Sequence, residues 1–260
     1  MSSPATHHHA APREGPVLIH AGLVAIASAW LFGGMGPNGE WIIAALASPA
    51  FWFLFAEART RVRAGDREGV YRLLRWSAPL ATLALLVVVS ALNPSHRAAF
   101  IYDDLVLRPV PHIAWLPSSA NPLGGLRVLA CLGGLAATGL AIAFCVHSRQ
   151  ALRNLVLVLA LNAVALSVLG TLQRQTGATG PYFGAVTAAN EAWFATFHYY
   201  NHWGAFAVLH AAAALGLVFR TLRHPPARGW SFGPGPLLVI AALLIAATTP
   251  LSGSRSATAL

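Results

Sequence analysis

Apolar residues in this chain run in long unbroken blocks, separated by short segments that carry most of the arginine. Seven blocks can be drawn, at residues 17–35, 40–56, 77–92, 126–146, 152–172, 203–219 and 236–249. Each is about 14–21 residues long, against the ~20 that cross a bilayer as a helix. In lipid, only helices and closed barrels satisfy their own backbone, and none of the blocks alternates as a barrel strand must. The pattern predicts an all-α fold, a polytopic transmembrane helix bundle of about seven spans plus the start of an eighth. The last block is the shortest, and its ends are the least sharply marked.

Residues 1–16 read as a disordered cytoplasmic tail. Its His7-His8-His9 run is too short to assign a metal. Residues 17–260 read as one transmembrane domain with no soluble domain and no internal repeat. The first block reads as an uncleaved helix, because Trp30, Leu31 and Phe32 stand where a signal peptide would place small residues. Gly133-Gly134 and the alanines from 211 to 214 fit close packing between helices. From Ser252 to Leu260 the chain makes a polar turn, begins a helix and stops in mid-pattern. The expectation is therefore an N-terminal part of a longer domain, truncated at 260.

Composition agrees with the blocks. The chain is 56% hydrophobic and 10% charged, with mean hydropathy +0.60, where a soluble domain carries about 25% charged residues. A net charge of +9 would suggest nucleic acid in a soluble protein. Here the arginines mark topology instead, and the bilayer, not nucleic acid, is the expected partner. Arg13, the six arginines between 59 and 75, Arg149, Arg153, Arg220, Arg223 and Arg228 fall on one side. Arg97, Arg108, Arg127, Arg174 and Arg255 fall on the other. The richer side is expected to be cytoplasmic. That puts the N-terminus inside and the 93–125 and 173–202 loops outside. Residues 57–76 are expected to lie on the inner surface as a short amphipathic helix. Cys131 and Cys145 share one apolar block, which argues for buried thiols and against a disulfide framework.

The candidate chemistry lies in the last eighty residues. Gln173-Arg174 closes one block, Asn201-His202 opens the next, and Ser252-Gly253-Ser254-Arg255 follows the last. All three groups fall on the outer side of this topology, and polar groups gathered at membrane ends suggest a site. The loop between the first two holds Tyr182, Phe183, Trp193, Phe194, Phe197, Tyr199 and Tyr200, with His198 among them. One reading is an interfacial aromatic belt. The other is a sugar site, since aromatic faces edged by polar donors suit a sugar, and an arginine fork suits a phosphate. Arg255 likewise has two readings, a side chain snorkelling to the interface or an anion site at a helix N-terminus. Asp103-Asp104 is the one acidic pair in the outer loops. It is an alternative metal site, with solvated loop charge as the plainer reading. His20, His112, His147 and His224 read as packing or interfacial residues. His210 lies about two turns along from His202 on one helix face, lining a cavity or packing through a hydrogen-bonded imidazole.

Taken in order, Gln173-Arg174, the aromatic and glycine loop, Asn201-His202 and the Ser252-Gly253-Ser254-Arg255 turn resemble the O-antigen ligase and O-antigen polymerase family. The resemblance covers roughly residues 120–260, with the Trp115-Leu116-Pro117-Ser118 loop matching more loosely. The Phe197-His198-Tyr199-Tyr200 lead before Asn201 departs from the shorter lead of many members. The resemblance implies a membrane glycosyltransferase on the periplasmic face of the bacterial inner membrane. It would pass a glycan from undecaprenyl pyrophosphate to lipid A core, a growing polysaccharide or a protein. Gln173, Arg174, His198, Asn201, His202 and Arg255 are the implied substrate-binding residues. No cofactor or nucleotide sugar is implied, and the catalytic base is expected in a later periplasmic loop, beyond Leu260. Two other classes remain open. A transporter or flippase for lipid-linked glycans would show paired broken helices in two related halves, which the sequence lacks. A non-catalytic membrane assembly subunit would need no base at all.

Overall fold

The computed structural model describes residues 14–31, 38–101, 104–187, 192–223 and 235–259. It is helical almost throughout. The helices are α1 (Glu14–Trp30), α2 (Gly39–Ala47), α3 (Pro49–Arg63), α4 (Arg67–Leu92), α5 (Pro122–Cys145), α6 (Arg149–Gln175), α7 (Tyr200–Arg223), α8 (Gly235–Ser252) and the single turn α9 (Arg255–Thr258). Between α4 and α5 lies a hairpin of β1 (His96–Ile101) and β2 (Asp104–Pro109). Among the described residues, six helical segments are long and apolar enough to cross a membrane, with α2 and α3 counted as one; α1 is apolar but shorter. The chain is a membrane protein built from transmembrane helices. The first block drawn from the sequence ends in residues outside those described, and α1 starts at Glu14, three residues before it.

Local chemistry explains where the helices begin. Asp66 caps α4 by accepting from the Gly69 amide at 2.8 Å. Asn121 caps α5 from the Gly124 amide at 3.0 Å, with Pro122 at the first helical position. Ser148 caps α6 from the Ala151 amide at 3.2 Å. Each side-chain oxygen satisfies a first-turn donor that the helix cannot. The far end of α8 runs beyond the block drawn from sequence. Thr248, Thr249 and Ser252 each donate to a carbonyl three residues back, at 2.6, 2.8 and 2.7 Å. Their polarity is absorbed by the helix and does not end it.

Residues 57–76 do not form a separate surface helix. They are the end of α3 and the start of α4, joined by a turn at 64–66 in which Gly65 takes a φ of 71°. Arg61 holds that turn, bonding Glu57 at 2.8 Å and Asp66 at 3.2 Å. The hairpin is a small element that the apolar pattern did not predict. Its strands pair His96 with Pro109 and Arg97 with Arg108. Two-stranded hairpins are marginal alone. The loop that follows this one is tied to the end of α4 by the buried Asn93. The Asn93 amide donates to the carbonyls of Ile113, Leu116 and Pro117, and its oxygen accepts from the Ile113 amide at 2.8 Å.

Two compact units divide the chain. The first comprises residues 1–24 and 40–147, the second residues 25–39 and 148–260. In the first, α3, α4 and α5 pack together. The Cβ position of Gly134 lies 2.7 Å from that of Ala47, so this contact needs glycine. Cys131 and Cys145 are buried thiols. α4 exposes Leu83, Leu85 and Leu86, as lipid-facing helices do. In the second unit α6, α7 and α8 pack on one another and α9 packs on α7. Ala211 and Ala214 are buried in that packing. The Trp30 indole donates to Asn162 at 2.8 Å, a polar link between apolar helices.

Candidate functional site

The site is built in the second unit, where the end of α6, the 176–199 loop, the start of α7 and the α8–α9 turn meet. Gln173 sits in the last turn of α6 with 0% exposure. In the orientation that satisfies its amide, the oxygen accepts from the Tyr182 and Phe183 amides at 2.7 and 3.3 Å, and the nitrogen donates to Ala195 at 3.2 Å. Tyr182, Phe183 and Ala195 have φ of 53°, 60° and 53°, a region that side chains other than glycine rarely occupy. A buried side chain is thus bonded at all three strained positions. Tyr182 also donates through its hydroxyl to the Trp30 carbonyl. Burial pushes the Tyr182 phenol up, so this donor stays protonated through neutral pH.

The loop then folds inward. Phe194 and Phe197 exchange backbone hydrogen bonds at 3.0 and 2.9 Å, and Thr196 donates to the Ala29 carbonyl at 2.7 Å. Trp193, Phe194 and Phe197 are buried. The rings of Phe194 and Phe197 pack against Trp203, with centroids 5.0 and 5.7 Å away. These aromatics form the unit's core. Of the rings considered above for a sugar or an interfacial belt, Phe183 and Tyr199 remain exposed.

Two of the sequence-predicted groups come together directly. Ser254 donates to the Asn201 side-chain oxygen at 3.0 Å, and the Asn201 nitrogen donates to the Tyr199 hydroxyl at 2.9 Å. Tyr199 also stacks on Tyr200 and meets the edge of His202, at 4.9 and 5.4 Å. Close backbone approach makes this junction possible. A Cβ on Gly204 would stand 2.6 Å from both the Ala257 Cβ and the Ser254 hydroxyl. Gly204→Ala is therefore expected to push α9 from α7, cost about 1–3 kcal/mol by overpacking and break the Asn201–Ser254 bond. Heating the purified variant in detergent checks this; an unchanged melting temperature would contradict the close approach.

The remaining predicted residues are placed differently. Arg174 is bound to its own loop, donating to the Trp193 carbonyl at 2.8 Å with its guanidinium 5.3 Å from the Trp193 ring. Arg255 is exposed at the first position of α9 and forms no ion pair among the described residues. The described α9 is a single turn, too short to carry a helix-terminus anion site. His198 is half-buried and His202 exposed. His210 donates through Nδ1 to the Phe206 carbonyl at 2.7 Å and lies on the Phe206 ring, the packing alternative for this residue. Asp103 and the side chain of Asp104 lie outside the described residues. Among those described, no group of three or more His, Cys, Asp or Glu could hold a metal ion.

Sequence reasoning passed over Gly204 and Gly170, whose Cβ would meet the Phe194 ring. The signal for the glycines was their place inside apolar blocks, each beside residues of the candidate motifs. No family model, curated protein or solved structure matches the chain.

Proposed function

We propose that the protein is a membrane glycosyltransferase resembling O-antigen ligases and polymerases. It would act on the periplasmic face of the bacterial inner membrane, with its N-terminus in the cytoplasm. The donor is a glycan on undecaprenyl pyrophosphate, and the acceptor is lipid A core, a growing polysaccharide or a protein. The observation that carries the reading is the 3.0 Å bond from Ser254 to Asn201. It joins two motifs, 53 residues apart, whose order the resemblance rests on. A loop held in strained backbone beside them adds support, since such strain persists where surrounding structure fixes a site.

In this reaction the bond from the sugar's anomeric carbon to the pyrophosphate oxygen breaks. A bond from that carbon to the acceptor oxygen or nitrogen forms, with inversion, and the acceptor's proton passes to a base. The leaving pyrophosphate gathers negative charge. Arg255, exposed beside the Asn201–Ser254 junction, supplies a planar fork of donors to that charge. Arg174 is the second candidate, with one arm already given to the loop. Tyr199 and Asn201 hold the His202 edge of the site, where a sugar's hydroxyls would lie. The base is none of these residues; the resemblance puts it in a later periplasmic loop.

A photoreactive undecaprenyl-pyrophosphate glycan, cross-linked in membrane vesicles and mapped by peptide mass spectrometry, tests the assignment. The expected labels fall within 199–206 and 252–258 and are competed by unlabelled donor. Labels confined to other helices would contradict it.

A further inference from the structure

In the first unit, α3, α4 and α5 border two cavities that share Leu140 as a lining residue. The larger, about 520 Å³, is an apolar groove lined by residues such as Ala44, Phe51, Leu80, Ala84 and Ala130. The smaller, about 380 Å³, is walled by Arg61, Arg72, Trp76 and His147 beside Phe144. Neither alone specifies a ligand, since a groove in a membrane protein takes any hydrocarbon and a basic pocket any anion. Leu140 lines both, so they lie side by side, and one molecule with an anionic head and an apolar tail would fill the pair.

Charge and depth narrow the choice. Six arginines, at 59, 61, 63, 67, 72 and 75, face three acids in the same stretch, Glu57, Asp66 and Glu68. Glu57 and Asp66 are both bound to Arg61, whose remaining arm donates to the Phe144 carbonyl at 3.3 Å. Arg61 is thereby a fixed wall. Arg72 forms no ion pair among the described residues, and the exposed His147 lines the same pocket, its backbone amide donating to Glu14 at 2.9 Å. Trp76, 66% exposed, lines the basic pocket, and tryptophan at a helix end suits the headgroup level. From Leu140 the groove follows α5 to Leu129, about 16 Å at 1.5 Å per residue. That is roughly half the ~30 Å hydrocarbon thickness, the reach of a chain in one leaflet.

We propose that this composite groove is a seat for one anionic glycerophospholipid, with its phosphate on Arg72 and His147 and an acyl chain in the groove. The assignment stands apart from the glycan-transfer reading, because every residue in it belongs to the first unit.

Native mass spectrometry of the intact protein, released from vesicles of mixed phosphatidylglycerol and phosphatidylcholine, tests it. The wild type should retain one phosphatidylglycerol in preference to phosphatidylcholine. Arg72→Gln, at an exposed position, should lower that retention about five- to tenfold. Gly133→Leu projects into the groove, where a Cβ meets nothing within 4 Å. It should abolish retention of both lipids without lowering the melting temperature. Equal retention of the two lipids, or no effect of Arg72→Gln, would overturn the proposal. Displacement of the lipid by inorganic phosphate would make the basic end a free-anion site. Preferential capture of undecaprenyl phosphate would make the groove a polyprenyl seat. Either result would also overturn it.

Discussion

Arg255→Ala should lower glycan transfer about ten- to a hundredfold while leaving the amount of protein in the membrane unchanged. Loss of one charge-assisted contact to a phosphate costs about 1.5–3 kcal/mol, and each 1.36 kcal/mol is tenfold in rate. Arg255 is exposed and forms no ion pair among the described residues, so its removal leaves no buried charge behind. Lysine should rescue only partly, because it restores the charge without the planar fork. Arg174→Ala should also lower transfer, but for mixed reasons. It removes a donor to the Trp193 carbonyl and a cation stacked on that ring. Looser 192–199 residues, read as faster proteolysis in intact vesicles, should accompany the loss at Arg174 and be absent at Arg255. Transfer that survives both alanine variants would remove the pyrophosphate role from these residues.

Gly170→Val should be the most damaging substitution for stability in the second unit. A Cβ on Gly170 would lie 2.3 Å from the Phe194 ring. Phe194 cannot retreat. It is fully buried, packed on Trp203 and fixed by paired backbone bonds to Phe197. Displacing it would pull on Thr196, bonded to Ala29, and on Ala195, bonded to Gln173. The cost should reach about 3 kcal/mol, the upper end for overpacking, and lower the melting temperature in detergent by roughly 5–10 °C. Pairing Gly170→Ala with Phe194→Leu should recover part of the loss, because the smaller side chain vacates the space. Additive effects in that pair would mean the two residues do not meet.

The membrane-spanning helices were legible because long apolar blocks admit few backbone solutions in lipid. Their ends were less so. Thr248, Thr249 and Ser252 look like a polar boundary in sequence, yet they bond back into α8 and extend it. The arginine-rich 57–76 stretch looks amphipathic. Asp66 capping α4 and Gly65 turning the chain make it a tight helical hairpin instead. The β hairpin escaped notice because its six-residue strands alternate poorly. At the candidate site, residue types and order picked out Asn201 and the Ser254 turn, which do meet. The Gly204 contact was not readable, since it depends on how α9 lies on α7. The aromatic loop misled for the same reason. Composition cannot tell a ring that lines a site from one that, like Phe194, forms its core.

Transfer itself is the most direct test. The protein, expressed from its whole reading frame and purified in detergent, would be given undecaprenyl-pyrophosphate glycan labelled in the sugar, with an acceptor. The account predicts labelled acceptor, release of undecaprenyl pyrophosphate in equal amount, and the same product in excess EDTA. No product, combined with movement of the labelled donor across a liposome bilayer, would contradict it and make the protein a transporter.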